Sequence, residues 1–267
     1  MKEGAEEEKK DTEGAEEKEE KEDKKKELNV YNSIKKNYLS WICIYISVCI
    51  ISYPNCIIGN ITFIVLVFLS YFMHKFSHYK KNIFTILHHY HHENDNFFSH
   101  FSQILLEIMI PIVFIPIYII YGTIFLNEWV ILLYLIFYTT VHNINYGKFR
   151  VNTVHYLHHK SIHTNIGPDV CDIMFNSKHP TDTSPENTNH YIPNIIIGTI
   201  IVLIIQYLYK NDTIKGVINK TLIYSSFISF LFLLISSIYL VKDCKWNDFF
   251  TFDDLDLFIY TIISAFY

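Results

Sequence analysis

The sequence predicts an all-α integral membrane protein, a helical bundle of two to three transmembrane hairpins with a cytosolic, histidine-rich, metal-binding cap. Three observations predict it. Half of the 267 residues are apolar, and most of these gather into five long runs. All 14 His fall in two polar stretches between those runs, 74–100 and 142–190. Within these stretches the His recur three and four residues apart, which puts them on one side of a helix.

The first 28 residues stand apart. They hold 8 Lys against 13 acidic residues, a net of −5, which is the formal charge of the whole chain. Leu28 is the one sizeable apolar residue after Met1. Such a segment buries too little surface to offset its chain entropy, so 1–28 is expected to be a disordered charged tail. It does not read as a cleavable signal peptide, which needs an early apolar core.

The run Leu39–Met73 is free of charge. As one helix it would measure roughly 52 Å, against a hydrocarbon core of about 30 Å. Pro54-Asn55 and Gly59-Asn60 offer the break, so it reads as a tight hairpin with arms at 38–54 and 57–73. A second pair of runs follows, Phe101–Phe125, with Glu107 as its one charge, and Trp129–Val141. A third pair, Ile192–Tyr209 and Val217–Val241, is joined through Lys210-Asn211-Asp212. Residues 242–267 turn acidic and then apolar, the pattern of an amphipathic helix on the membrane surface.

Under this hairpin scheme eleven basic residues, among them Lys35, Lys75, Lys81, Arg150 and Lys160, share one side. Only Lys210, Lys215 and Lys220 lie on the other. The positive-inside rule then places both His-rich stretches and both termini in the cytosol. No basic patch interleaved with aromatics lies outside the apolar runs, which speaks against nucleic-acid binding. The five Cys form no CxxC and no regular spacing, so no disulfide framework is expected.

The chemistry is carried by His spacing. His74 and His78 are an i, i+4 pair, while His88, His91 and His92 give i, i+3 and i+4. His155, His158 and His159 repeat the second pattern, and His142 sits at the end of the fourth expected span, Trp129–Val141. Imidazole nitrogen suits iron, zinc, copper and nickel. Nine ligands exceed the needs of one ion and match two ions with four or five nitrogens each. His89, His100, His179 and His190 read as structural or surface residues, and His163 as ligand, supporting residue or surface group. Asp169, Asp172 and Asn165 either orient ligands or cap surface turns, and Glu93 is open to both roles.

The segments HKFSH at 74–78, HHYHHE at 88–93 and HYLHH at 155–159, set between membrane hairpins, resemble the fatty acid hydroxylase/sterol desaturase superfamily. The stretches His142-Asn-Ile-Asn-Tyr-Gly and His163-Thr-Asn-Ile-Gly-Pro-Asp add to the likeness, which covers roughly residues 60–180. Some members carry a further His where this chain has Tyr146, so one nitrogen is missing or is supplied from elsewhere, for example by His163. The pair of runs at 192–241 lies beyond the four spans expected of the family core.

The resemblance implies a catalytic domain over 29–190, followed by an extra hairpin and tail over 191–267. It implies two iron ions held by His74, His78, His88, His91, His92, His142, His155, His158 and His159; zinc can take their place in a purified protein. It further implies an endoplasmic reticulum oxidoreductase that uses O2 to hydroxylate or desaturate a fatty acyl chain or sterol in lipid biosynthesis. Electrons would come from NAD(P)H through a separate carrier such as cytochrome b5 and its reductase, since no His-Pro-Gly-Gly segment marks a fused haem domain. The alternatives are a metal transporter and a catalytically inactive lipid-binding membrane protein. Transporters place ionisable ligands near mid-membrane, whereas these runs are nearly free of them.

Overall fold

The computed structural model describes residues 28–79, 81, 85–109 and 126–241. Every regular element among them is helical, with no strand. The expected tail, the surface helix over 242–267 and the second half of the run Phe101–Phe125 lie outside the described residues.

Helix α1 (Val30–Lys36) is capped by Asn29, whose side chain accepts from Asn32 N at 2.8 Å. It meets α2 (Tyr38–Ser52) at a bend of 79°. After Tyr53-Pro54-Asn55 the chain enters α3 (Cys56–Ser77), and α2 and α3 pack together as the two arms of a helical turn. The helices approach closely at Gly59, where a Cβ would fall 2.2 Å from Ser52 Oγ and 3.2 Å from Val48 Cγ1. Helix α3 continues four residues past the expected 73, which carries His74 into its last turn and leaves His78 as its C-cap.

Two short helices follow, α4 (Ile86–Glu93) and α5 (Phe97–Met109). Next comes α6 (Glu128–Thr140), whose N-cap Asn127 accepts from the backbone N–H of Trp129 and Val130. It widens without interruption into a π-helix, Val141–Lys148. Then come α7 (Val154–Lys160), α8 (Asp169–Met174), a 3-10 turn at Thr188–Tyr191 continuing into α9 (Ile192–Leu208), and α10 (Asp212–Val241). The last begins five residues before the expected Val217.

Three helical segments are long and apolar enough to cross a membrane: Cys56–Ser77, Thr188–Leu208 and Asp212–Leu240; the bent pair α1–α2 makes up to four. In the second and third only 17 % of the apolar window is buried inside the protein. Their outward side chains, such as Ile197, Ile200, Ile204, Ile223 and Phe227, are apolar. Apolar residues on the outward as well as the inward side mark helices that face lipid, and the chain as a membrane protein. Helix α6, expected as a span over Trp129–Val141, has 13 α-helical residues and falls short of a membrane crossing alone.

Helices α2, α3, α6 and α9 enclose the main core, around Val48, Leu66, Tyr71, Val130, Leu133, Ile195 and Val202. Hydroxyls in these helices satisfy themselves locally, Thr62 on Ile58 O and Thr199 on Ile195 O, both at 2.7 Å, as an apolar surrounding demands. The chain N-terminal to α2 is tied to the polar segment before α9. Ser33 Oγ donates to Asp169 Oδ2 at 2.9 Å. Asn37 donates to Glu186 O and accepts from Thr188 N, both at 2.8 Å.

Candidate metal centre

The nine predicted residues meet where the C-terminal ends of α3 and α6 face α4 and α7. Helix α3 supplies His74 and its cap His78; α4 supplies His88, His91 and His92; α7 supplies His155, His158 and His159. His142 is the second residue of the π-helix, whose wider turn is a frequent feature of functional sites. Eight of the nine fall into two groups able to hold a metal ion. One comprises His74, His78, His88, His92 and His158, the other His91, His155 and His159; within each, the ligand atoms lie within 4.8 Å of one another. His142 sits beside the second group, with ring centroids 4.5 Å from His155 and 5.9 Å from His91.

The hydrogen bonds orient these rings. His74 Nδ1 lies 2.7 Å from Ile166 O, and His158 Nδ1 lies 2.7 Å from Thr164 O. A carbonyl oxygen can only accept, so both Nδ1 atoms carry the proton and donate. When the rings are neutral, both Nε2 atoms are left as bare lone pairs, yet they face each other at 3.1 Å. Two lone pairs at that distance repel unless a cation lies between them. Metal–nitrogen bonds of about 2.0–2.1 Å set neighbouring nitrogens of an octahedron about 3 Å apart. The Nε2 contacts of His78 with His158, at 3.2 Å, and with His88, at 3.1 Å, have the same spacing, as does His155–His159 at 3.0 Å. His91 Nε2 and both nitrogens of His92 are buried without a hydrogen-bond partner. The donor set fits two metal ions, one per group.

Burial keeps His78 and the ligand rings of α4 and α7 neutral, as metal ligands must be. It lowers His88 and His158 to about 3 and His91 to about 2, with neighbouring imidazoles pushing the same way. Burial also lowers His159 to about 4, and drives His78, His92 and His155 far below the ordinary imidazole value.

Further residues hold the ligands in place. His91 Nδ1 lies 3.1 Å from Ser99 Oγ, and His88 Nδ1 lies 3.0 Å from Gln103 Oε1. Glu107 bonds His142 Nδ1. All three partners come from α5. Glu107 was visible in the sequence as the one charge in its run; Gln103, four residues before it, was a signal passed over. The carbonyl oxygens of Ile166 and Thr164 leave no mark in a sequence. Asp172, read as orienting residue or surface cap, is buried and accepts from the backbone N–H of Ile166 and Gly167 at 2.9 and 2.8 Å. It thus holds the loop whose carbonyl receives His74. Asn165, at φ 51°, shapes that loop and bonds Asp182 at 2.8 Å.

The residues left open now have places. Tyr146 stacks on His155 at 5.8 Å, and its hydroxyl bonds Glu186 and Tyr191 at 2.6 and 2.5 Å, away from the imidazole nitrogens. His163 is exposed and belongs to neither group, so it does not take the place of a missing ligand. His100 pairs with Asp95 at 2.7 Å and Glu93 with Lys81, all on the surface.

A cavity opens beside the second group. Its wall includes His74, His142 and His155, and it continues between Ile44, Phe63, Val67, Tyr134 and Phe137 in the apolar core. No family model matches the chain, and the searches of curated proteins and of solved structures return no match.

Proposed function

We propose that the chain is a membrane-bound non-haem di-iron oxidoreductase of the fatty acid hydroxylase/sterol desaturase type, which uses O2 and two electrons to hydroxylate or desaturate a lipid. The observation that carries this reading is the pairing of two adjacent all-nitrogen groups, of five and three His, with an apolar cavity that begins at His74, His142 and His155. Bound iron would supply the activation of dioxygen and the attack on an unactivated C–H bond.

The chain's own residues supply the rest. The two groups offer, with His142, nine imidazole ligands, enough for two ions with positions to spare. Tyr134, Phe137, Phe63 and Val67 give walls on which an acyl chain or sterol ring is held by apolar contact while water is excluded. The His end of the cavity sets which carbon lies beside the metals. The arrangement suits a substrate drawn from the bilayer and electrons delivered by a separate carrier such as cytochrome b5, at the cytosolic face of the endoplasmic reticulum. Glu107 is the one acidic residue described within the apolar runs of the bundle, and it touches the His layer rather than marking a second, mid-membrane ion site as a transporter needs.

The test is lipid profiling of cells that express the chain, beside cells expressing the His158→Ala/His159→Ala variant at equal level. A new hydroxylated or desaturated lipid in the first alone is the expected result. Identical profiles, with the wild-type protein carrying iron, would overturn the lipid-oxidation reading.

A further inference from the structure

Glu107 lies in α5, is 2 % exposed, and is surrounded by hydrogen-bond donors. Its Oε1 meets His142 Nδ1 and accepts from Gln103 Nε2 at 3.0 Å. Its Oε2 accepts from Asn143 Nδ2 at 2.8 Å. Removing a carboxylate from water is costly, and three partners compensate it here.

The polarity of the connections matters more than their number. A glutamine amide has one accepting and one donating end. Because Gln103 gives its N–H to Glu107, its carbonyl end is turned toward His88 Nδ1, 3.0 Å away. His88 must then donate from Nδ1, which leaves Nε2 to face His78 Nε2 at 3.1 Å. On the other branch the Glu107 carboxylate receives His142 Nδ1, which leaves Nε2 as the lone-pair atom of a ring whose centroid lies 4.5 Å from that of His155. One carboxylate therefore selects the tautomer of two rings, His142 beside the second group directly and His88 in the first group through Gln103.

We propose that Glu107 is the positioning residue that makes His142 the fourth ligand of the His91–His155–His159 ion and, through Gln103, fixes His88 as a ligand of the other ion. The inference rests on the two-metal reading above. A carboxylate behind an imidazole also raises its strength as a donor, and loss of such a partner typically weakens metal binding about 10–100-fold. The two branches predict opposite selectivity. Glu107→Ala strips His142 of the side-chain hydrogen bond at its Nδ1 and weakens chiefly the second ion. Gln103→Leu spares the Glu107–His142 contact and weakens only the first ion.

The experiment is zinc titration of the purified full chain in detergent against a competing chelator, with cobalt absorption as the record of coordination. To separate the sites, each substitution is repeated in two backgrounds. His155→Ala/His159→Ala retains the first group intact, and His74→Ala/His78→Ala/His158→Ala retains the second with His142 while leaving only His88 and His92 of the first. Wild type is expected to take two ions. Glu107→Ala should lower affinity about 10–100-fold in the background that keeps the second group, and by a smaller factor, about 3–10-fold, in the other, where Gln103 loses the acceptor that orients it. Gln103→Leu should lower affinity about 10–100-fold in the background that keeps the first group and leave the other within about threefold. Glu107→Gln, equal in size, covers the case in which the alanine variant does not fold, and should fall between wild type and alanine. Wild type that binds no metal would overturn the two-metal reading and this inference with it. Two-ion wild type, with variants that weaken both sites in parallel or neither, would overturn this inference alone.

Discussion

Acidification should unfold this protein at a mild pH, and the structure sets the size of the effect. Six imidazoles outside the spans, His78, His88, His91, His92, His155 and His158, are held below their ordinary value by burial, His88 and His158 to about 3 and His91 to about 2. In the unfolded chain each takes a proton near pH 6.5, while in the fold it stays neutral. The unfolded state therefore binds more protons, and stability present above pH 6.5 is lost as pH falls. At pH 5, 1.5 units lower, each ring removes up to about 2 kcal/mol, or about 12 kcal/mol for the six. Two carboxyls oppose them. Burial pushes Asp172 and Glu186 up to about 7, so the folded state binds their protons first and gains up to about 5 kcal/mol from the pair between pH 7 and 5. The imidazoles win by about 7 kcal/mol, comparable with the whole stability of a typical domain. Bound metal acts in the same direction, since protons compete with it for the same nitrogens. The assay is the thermal midpoint of chelator-treated protein in detergent, followed by near-ultraviolet circular dichroism from pH 8 to pH 5. A midpoint that stays level or rises as pH falls would refute the reasoning.

Other expectations follow from single contacts. His158→Ala removes a fully buried ring whose Nε2 meets both His74 and His78, and competition with a chelator should show weaker binding of one of the two ions with the other unchanged. Gly59→Ala places a Cβ 2.2 Å from Ser52 Oγ and 2.5 Å from Ser52 Cβ, forcing α2 and α3 apart at a cost of about 1–3 kcal/mol. Ser52→Ala in the same chain should recover only part of that loss in thermal unfolding, because the Cβ remains. Asn37→Ala leaves Glu186 O and Thr188 N without their buried partner and should cost about 2–4 kcal/mol, with metal stoichiometry unchanged at saturating ion.

The sequence made the His layer legible because helical spacing is enough to bring His88, His91 and His92, or His155, His158 and His159, to one side of a short helix. Spacing along one helix says nothing about which helices share an ion. The division that the fold makes, with His91 set apart from His88 and His92, and His158 apart from His155 and His159, crosses every sequence cluster but the first. That follows from geometry: residues three and four apart fan out by tens of degrees around a helix. Two helices facing each other across a layer can therefore each contribute to both groups. Span lengths were legible for α3, α9 and α10, where apolar run and helix nearly coincide. For α6 they were not, because widening to a π-helix at Val141 keeps the chain helical while its composition turns polar.

The same limit explains why the outer contacts were harder to see than the ligands. A ligand must be His, so the residue type announces it. The group that orients a ligand need only accept a hydrogen bond, and the fold uses a backbone carbonyl for His74 and His158, a hydroxyl for His91, an amide for His88 and a carboxylate for His142. Only the last costs enough in an apolar run to stand out, since a lone carboxylate there must be compensated. Its partners then become readable by helical spacing: Gln103 is four residues before Glu107 on α5 and bonds it at 3.0 Å. An unexplained charge in an apolar run, read together with the polar residue one turn away, thus points to two rings of the His layer, His142 and His88.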